Sequence, residues 1–169
     1  ALIGCAVTTG VGAVIHTARV EVGATVAVIG CGGVGLAAIN GAAIAGAARI
    51  IAIDIHDEKL ALARDFGATD AVNASASDPV EAVRDLTGGG VDHAFEALGR
   101  KRTAEQAYEM LERSGTATII GMVPEGVKLE IEAASLLYDR RIQGSNMGSN
   151  RFRVDMPRYV DFYLAGRLQ

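Results

Sequence analysis

A glycine-rich turn that follows an apolar run constrains this chain more than any other feature. The segment Thr25–Gly35 reads TVAVIGCGGVG, and its glycines Gly30, Gly32 and Gly35 have the spacing G-x-G-x-x-G. Asp54 follows the last of these glycines by nineteen positions, at the end of a second apolar run, RIIAIDI. A strand, a glycine turn, a helix and an acid at this distance predict a βαβ unit that binds a dinucleotide.

The residues of this pattern have distinct physical roles in such a unit. Gly30 permits the sharp turn out of the strand, Gly32 lets the backbone approach a pyrophosphate, and Gly35 lets the helix pack closely on the sheet. The N–H groups and the dipole at the start of the helix favour a bound phosphate. Asp54 would accept hydrogen bonds from the ribose hydroxyls of adenosine and repel a 2′-phosphate, so the sequence favours NAD.

Composition limits the classes of protein to which the chain can belong. With 169 residues, of which 50% are hydrophobic, it suits one domain with a single core. A net charge of −4 without a basic cluster argues against a nucleic-acid partner. Two cysteines make no disulfide framework, which indicates a reducing, cytoplasmic location. Val22–Ala48 has no charged residue, but its glycine turn and Asn40 divide it into a strand and a helix, so no membrane partner is expected.

Strand-like runs alternate with helical patterns, which predicts an α/β fold with a parallel sheet and helices on both faces. Six strands in two βαβαβ halves would make the doubly wound Rossmann dinucleotide-binding fold. Strands are predicted at Thr25–Gly30, Arg49–Ile55, Ala71–Asn73, His93–Ala97, Thr116–Gly121 and Arg141–Ser145. Helices are predicted at Val34–Ala45, Glu58–Phe66, Pro79–Leu86, Thr103–Leu111 and Met156–Ala165.

Local signals add detail at the helix ends. Asp57 is predicted to cap the second helix, and Ser77 or Asp78, with Pro79, to open the third. Gly67 is predicted to end the second helix.

The leading segment differs from the rest of the chain. Thr8 and Thr9 are predicted to start a helix there. We interpret residues 1–18 as a connector from a catalytic domain outside this chain and residues 19–169 as the Rossmann domain. On this interpretation the chain is an excised piece of a longer protein.

Short motifs extend from the first residues to the middle of the chain. They are LIGC at 2–5, TTG at 8–10, GA at 12–13, GAARII at 46–51, DI at 54–55, GAT at 67–69, GGVD at 89–92, FE at 95–96 and LGR at 98–100. Together with the glycine turn, this set resembles the zinc-dependent medium-chain alcohol dehydrogenases, and within them the class III branch and its actinobacterial relatives. The resemblance implies the coenzyme-binding domain of an enzyme that transfers hydride between an alcohol and NAD.

The resemblance also implies a metal ligand. Cys5 matches the cysteine that binds the catalytic zinc together with a Cys and a His from the catalytic domain outside this chain. A thiolate is a good zinc ligand, and a catalytic zinc keeps one position open for water or alcohol. The alternative interpretation of Cys5 is a buried small residue. Cys31, at the variable position of the glycine turn, is interpreted as a packing residue.

Further cofactor-binding positions follow from the resemblance, and apart from Thr9 they all lie beyond carboxyl ends of strands, where open α/β sheets bind ligands. Thr9 and Val34 are placed at the nicotinamide end, although Thr9 alone would be read as a helix cap. Asp54 and Lys59 are placed beside the adenosine ribose, although Lys59 alone would be a solvated charge. The other positions are Gly33 in the turn, Ala97, Leu98 and Arg100 around the adenine, Ile120, Gly121 and Met122 near the carboxamide, and Ser145, Asn146 and Met147 after the last strand.

Two other functions stay open at this point. A non-catalytic NAD(H)-binding module would explain the Rossmann elements but leave Cys5 and Thr8–Gly10 without a purpose. A zinc-free medium-chain reductase that uses NADPH would favour a small or basic residue in place of Asp54. On the dehydrogenase interpretation, the isolated chain is expected to bind NAD(H) but not to turn over.

The alternating segment Lys128–Ile131 (KLEI) predicts a partner. In the family that the chain resembles, a matching short edge strand pairs with its twofold copy. An unpaired edge with exposed apolar side chains invites association, so we expect a homodimer.

Overall fold

The computed structural model describes residues 2–169, and a six-stranded parallel sheet lies at its centre. The strands stand in the order β3-β2-β1-β4-β5-β6, and every neighbouring pair is parallel. This order is the doubly wound topology of the Rossmann fold, so the predicted fold class is confirmed. The strands are β1 (Thr25–Ile29), β2 (Arg49–Asp54), β3 (Asp70–Asn73), β4 (Val91–Glu96), β5 (Leu111–Ile119) and β6 (Arg141–Gly144).

Helices cover both faces of this sheet. Short 3₁₀ turns lie at Leu2–Gly4, Ala133–Tyr138 and Met147–Ser149, and a π-helical stretch, Ala13–Ala18, continues the first helix. The helices are α1 (Ala6–Gly12), α2 (Gly33–Ala45), α3 (Asp57–Asp65), α4 (Pro79–Thr87), α5 (Lys101–Glu109) and α6 (Phe152–Leu164).

The residues of β1 illustrate how the core is divided between the two faces. Val26 and Val28 belong to an apolar cluster with side chains of α2 and α3, whereas Ala27 and Ile29 belong to a cluster with α4 and α5. Because successive side chains of a strand point to opposite faces, an uninterrupted apolar run supplies both cores.

The leading segment is packed into the first of these cores. An added Cβ at Gly10 would lie 2.4 Å from the Val34 carbonyl oxygen, so α1 and α2 approach each other with their backbones nearly in contact. Val14 is completely buried in this core, and Val11 is completely buried in a separate cluster with Ala37 and Tyr159. Residues 2–18 therefore pack as part of the same body, and the domain boundary after residue 18 stays a prediction.

Some helix boundaries differ from the sequence predictions. Helix α1 begins at Ala6 rather than at Thr8 or Thr9, and the Thr8 hydroxyl donates to the Ile3 carbonyl instead. The prediction of an Asp57 cap is wrong, because His56 holds the N-cap position and Asp57 is the first helical residue. Helix α6 begins four residues before Met156, and Pro157 lies inside it.

Other predicted signals agree with the structure. The Asp78 carboxylate accepts hydrogen bonds from the backbone N–H groups of Val80 and Glu81, with Pro79 in the first turn of α4. Gly67 has a φ of 109°, as a residue that ends a helix often does. Strand β5 begins at Leu111, five residues earlier than predicted, and its register against β4 shifts between Leu111 and Thr116.

The segment Lys128–Ile131 forms no strand within the described chain. Its Glu130 N–H donates to the Glu105 carboxylate of α5, 2.8 Å away, and Lys101 reaches the Glu130 carboxylate at 2.9 Å. A strand requires a hydrogen-bonded neighbour, and none of residues 2–169 pairs with this segment. The predicted strand is therefore not formed in one copy, and the homodimer stays a prediction.

An ion pair between β2 and β3 predicts how stability depends on pH. Arg49 and Asp70 form two hydrogen bonds of 2.9 and 2.8 Å, and those hydrogen bonds lower the pKa of Asp70 from 3.8 to about 2. Because the folded state has the lower pKa, the pair stabilises the fold above pH 3.8, and this contribution disappears as the pH falls toward 2. Because the pair is partly exposed to solvent, we expect it to contribute less than about 1 kcal/mol to the free energy of unfolding at neutral pH.

Urea unfolding of the wild type and of Asp70→Asn at several pH values measures this effect. The difference in unfolding free energy should be constant near neutrality and shrink below pH 3.8. A difference that stays unchanged down to pH 2 would contradict the assigned pKa.

Candidate functional site

The glycine turn joins the end of β1 to the start of α2. Gly30 has a φ of 96°, a conformation that L side chains rarely adopt. An added Cβ at Gly35 would lie 1.7 Å from the Gly30 carbonyl oxygen, so the helix starts directly against the strand end. Around Gly32, by contrast, no atom of residues 2–169 lies within 4 Å of an added Cβ. The first turn of α2 therefore faces open space, as a phosphate-binding helix start requires.

Asp54 ties the end of β2 to this turn. Its side chain is buried, and its Oδ2 accepts a hydrogen bond of 2.8 Å from the Cys31 N–H. Its Oδ1 accepts from the N–H groups of Ile55 and His56, at 2.8 and 3.1 Å. The Lys59 ammonium stands 3.9 Å from Oδ2. The carboxylate is thus oriented by the backbone on both sides, and its Oδ2 keeps one lone pair for a further donor.

A cleft of about 590 Å³ opens beside Asp54. Its volume lies in the range of small-molecule sites. Four of the predicted cofactor positions line it together: Asp54, Lys59, Leu98 and Arg100. Sequence reasoning missed the part of the wall that is formed by the loop after β3 and by α5, which includes Ser75, Ser77, Arg102, Thr103 and Gln106. The rule that ligands bind at the carboxyl ends of strands pointed to these segments, although no motif marks their residues.

Several of the other predicted positions do not line this cleft. The Thr9 hydroxyl is 3.8 Å from the Met147 sulfur, and the Ser145 hydroxyl is 2.8 Å from that of Thr17. The backbone N–H groups of Ile120 and Gly121 both donate to the Glu96 carbonyl. Of the remaining positions, Val34 and Ala97 are half-buried, whereas Asn146 and Met122 are exposed.

Glu96 is a further residue of this edge that sequence reasoning did not single out as a site residue. It is completely buried at the end of β4. Its Oε1 accepts hydrogen bonds from the N–H groups of Leu98 and Gly99, at 2.9 and 2.8 Å, and from the Thr103 hydroxyl at 2.6 Å. Its Oε2 has no hydrogen-bond partner among residues 2–169. Glu96 therefore holds the loop that carries Leu98 into the cleft.

Comparison with known proteins identifies the family. A family model described as zinc-binding dehydrogenase matches residues 33–164. The chain belongs to this family. The match spans the helix after the glycine turn and every later element up to the end of α6, so the resemblance found in the sequence is confirmed.

Individual relatives agree with this assignment. The probable S-(hydroxymethyl)glutathione dehydrogenase 1 of Schizosaccharomyces pombe is 44% identical over 99% of this chain and 45% of its own length. Other relatives carry the name alcohol dehydrogenase class-3. The chain spans about half the length of the curated relatives it matches.

Solved structures of this dehydrogenase family have the same fold. An alcohol dehydrogenase zinc-binding domain protein from Burkholderia ambifaria has a TM-score of 0.96 and 40% identity, over 98% of this chain and 45% of that one. A putative zinc-binding dehydrogenase from Sinorhizobium meliloti, solved bound to NADP, has a TM-score of 0.88 and 31% identity, over 98% and 48%.

The family name directs attention to the cysteines. Cys5 is exposed and stands at the N-cap position of α1. Among residues 2–169, no group of three or more His, Cys, Asp or Glu side chains could hold a metal ion. A zinc ion at Cys5 would therefore need ligands that these residues do not supply.

Cys31 is a packing residue, as interpreted from the sequence. Its thiol is buried and lies 3.7 Å from the Ile53 carbonyl oxygen. Burial, reinforced by the neighbouring Asp54 carboxylate, raises the pKa of Cys31 to about 12. A thiol that stays protonated is a poor metal ligand.

No helix in the described part of the chain is long and apolar enough to cross a membrane.

Proposed function

We propose that this chain is the coenzyme-binding part of a zinc- and NAD-dependent alcohol dehydrogenase. The observation that carries the proposal is the Asp54 carboxylate, which the Cys31 N–H orients at the mouth of the cleft beside the glycine turn. An acid in this position accepts hydrogen bonds from the hydroxyls of an adenosine ribose. The names of the relatives support the reaction class.

The residues of the chain divide the work of holding such a coenzyme. Backbone N–H groups at the start of α2 would bind the pyrophosphate, with Gly32 leaving room for its approach. Asp54 and Lys59 would hold the adenosine ribose, and the exposed Leu98 would lie against the adenine. Thr9 and Met147 would face the nicotinamide end.

Zinc belongs to the proposal through one residue. Cys5 would contribute a thiolate ligand to a catalytic zinc, whose chemistry is Lewis acidity toward an alcohol oxygen. Because residues 2–169 supply no further ligand set, this chain alone should bind NAD(H) without oxidising an alcohol. Calorimetric titration with NADH and an alcohol oxidation assay with added zinc test both parts. Turnover by this chain alone, or a failure to bind NADH, would contradict the proposal.

NADP is the second candidate coenzyme, and one observation favours it. Lys59, Arg100, Arg102 and His56 line the same cleft and could balance the charge of a 2′-phosphate. The Sinorhizobium meliloti relative was solved with NADP. Against this, Asp54 places a negative charge where the 2′-phosphate would lie. Stronger binding of NADPH than of NADH would decide for the second candidate.

The substitution Asp54→Asn tests the proposed role of the carboxylate. An amide keeps one acceptor oxygen but sets its NH₂ group against a backbone N–H, so we expect a loss of about 1–3 kcal/mol in unfolding free energy. NADH binding should weaken by about tenfold or more, and the preference for NADH over NADPH should decrease. Titration calorimetry with both coenzymes measures the change.

Asp57→Asn is the matched control for this variant. Asp57 lies three residues further along, accepts a hydrogen bond from the Asn73 amide, and does not line the cleft. It should leave both affinities within about twofold. Equal effects of the two substitutions on NADH binding would count against a specific contact at Asp54.

The homodimer is also proposed, on the exposed apolar side chains around Lys128–Ile131. Val127, Leu129 and Tyr138 are 41%, 36% and 46% exposed, and Leu137 is 86% exposed. Pairing of this segment with its copy would cover such side chains and satisfy its free backbone groups. Sedimentation at high protein concentration tests the proposal, and a strictly monomeric chain would contradict it.

A cytoplasmic location stays a prediction.

A further inference from the structure

The turn after β6 has an unusual backbone. Met147, Gly148 and Ser149 follow one another with φ values of 49°, 68° and 51°. L residues visit this left-handed region as single residues rather than in runs, because the Cβ atom approaches the following carbonyl. Two of these three residues carry a side chain. Such a conformation persists only where the surrounding structure holds it.

Asn150 provides that hold. Its Nδ2 donates to the Met147 carbonyl at 2.6 Å and to the Thr8 carbonyl of α1 at 2.7 Å. Its Oδ1 accepts a hydrogen bond from the Tyr159 hydroxyl of α6. One amide therefore joins the turn to two helices.

Two glycines near this amide, Gly12 and Gly148, have no room for a side chain. An added Cβ at Gly12 would lie 2.4 Å from the Asn150 Nδ2, and one at Gly148 would lie 2.3 Å from the Thr8 carbonyl oxygen. A second tie runs through Thr17, whose hydroxyl is 2.9 Å from that of Ser149. The turn is thus pressed against the leading helix at two points.

The held turn presents Met147 to the carboxyl edge of the sheet. Met147 is 37% exposed and its sulfur lies 3.8 Å from the Thr9 hydroxyl. A dinucleotide on this fold lies across the point where the strand order reverses, with its two halves over opposite halves of the sheet. The adenosine cleft lies beside β2 and β3, so the nicotinamide half would reach the side of β5 and β6.

We infer that Asn150 is a positioning residue for the nicotinamide. It acts through the strained turn, which it locks so that Met147 and Thr9 together form one wall of the nicotinamide subsite. The inference rests on the proposed function, because it requires a nicotinamide coenzyme. It concerns only the half of the ligand that lies away from the cleft.

Asn150→Ala tests this role with two ligands, NADH and ADP-ribose, which differ by the nicotinamide ring. Without the amide the turn can relax, and the fraction of molecules with a formed subsite falls. We expect NADH binding to weaken about tenfold and ADP-ribose binding to change less than about twofold. The emission of bound NADH, which reports the surroundings of the ring, should shift toward that of free NADH.

The chain contains a matched control in Asn40. Its Nδ2 also donates to two backbone carbonyls, of Phe66 and Arg167, and its Oδ1 also accepts one hydrogen bond, from the Gln169 N–H. Asn40→Ala removes the same number of hydrogen bonds from the far side of α2. It should lower the midpoint of urea unfolding about as much as Asn150→Ala does. It should leave the ratio of NADH affinity to ADP-ribose affinity unchanged.

Each outcome decides the inference. Equal weakening of NADH and ADP-ribose by Asn150→Ala would mean a general structural role and overturn it. Unchanged NADH affinity, or a wild type that binds the two ligands equally well, would overturn it too, since the turn would then position nothing. A wild type that binds neither ligand would refute the proposed function itself, a result seen before any variant is made.

Discussion

Replacing Gly35 with alanine is expected to abolish nucleotide binding and to lower the free energy of unfolding by about 3 kcal/mol or more. An added Cβ would lie 1.7 Å from the Gly30 carbonyl oxygen and 2.9 Å from its carbon. Both atoms belong to the backbone, so no side-chain rotation can relieve the overlap. Helix α2 would have to move away from β1, and the helix start that would bind the pyrophosphate would move with it. Guanidinium unfolding and NADH titration measure the two effects.

Gly32→Ala is the control, because it adds the same methyl group three residues earlier in the motif. Gly32 has a φ of −80°, and no described atom lies within 4 Å of its added Cβ. Stability should therefore change by less than about 0.5 kcal/mol. NADH binding should still weaken, since the methyl group occupies the proposed approach of the pyrophosphate. If the two variants unfold at the same denaturant concentration, the close contact between Gly35 and the Gly30 carbonyl does not make Gly35→Ala the more destabilising substitution, and the prediction is contradicted.

Replacing Glu96 with alanine is expected to have the second large effect. Its Oε1 accepts three hydrogen bonds, from Leu98, Gly99 and Thr103, and the residue is completely buried. Removing the carboxylate leaves the backbone N–H groups of Leu98 and Gly99 without an acceptor, at about 1–3 kcal/mol for each buried donor that water does not reach, whereas the Thr103 hydroxyl can still donate to the Arg100 carbonyl, 3.0 Å away. We expect a loss of about 3 kcal/mol or more in unfolding free energy, and weaker NADH binding because Leu98 is no longer held in the cleft.

Glu96→Gln separates the hydrogen bonds from the charge. Glutamine keeps an oxygen that can accept all three hydrogen bonds, so its loss of stability should be less than half that of alanine. Urea unfolding of the three proteins gives the comparison. Equal losses for alanine and glutamine would show that the negative charge, rather than the acceptor, stabilises the loop.

Much of the fold could be predicted because it depends on local patterns. The apolar run of β1, the turn at Gly30 and the acid at Asp54 lie within thirty residues of one another, and each has a backbone reason that does not depend on distant contacts. The alternation of strands and helices then favours one sheet order, since parallel strands need crossover connections of fixed hand. The sheet followed from these patterns, and so did four residues that line one cleft, Asp54, Lys59, Leu98 and Arg100, whose role in binding adenosine stays a proposal.

Other features depend on neighbours that the local pattern does not specify. Helix α1 begins before Thr8 because the threonine hydroxyl bonds back to Ile3, and β5 begins at Leu111 because β4 lies beside it. The alternation in Lys128–Ile131 describes a strand, but a strand forms only against a partner.

The amino-acid sequence by itself determined the fold class and the family, and it singled out Asp54 as the acid proposed to hold the adenosine ribose, because these depend on spacing along the chain and on backbone freedom at single glycines. Only the tertiary structure decided which groups hold the site in place. Glu96 holds the loop and the helix turn that follow it, through hydrogen bonds from Leu98, Gly99 and Thr103. Asn150 joins α1, α6 and the turn after β6. Asn150 and Thr8 are 142 positions apart, and a hydrogen bond between such positions depends on packing, which no local pattern records.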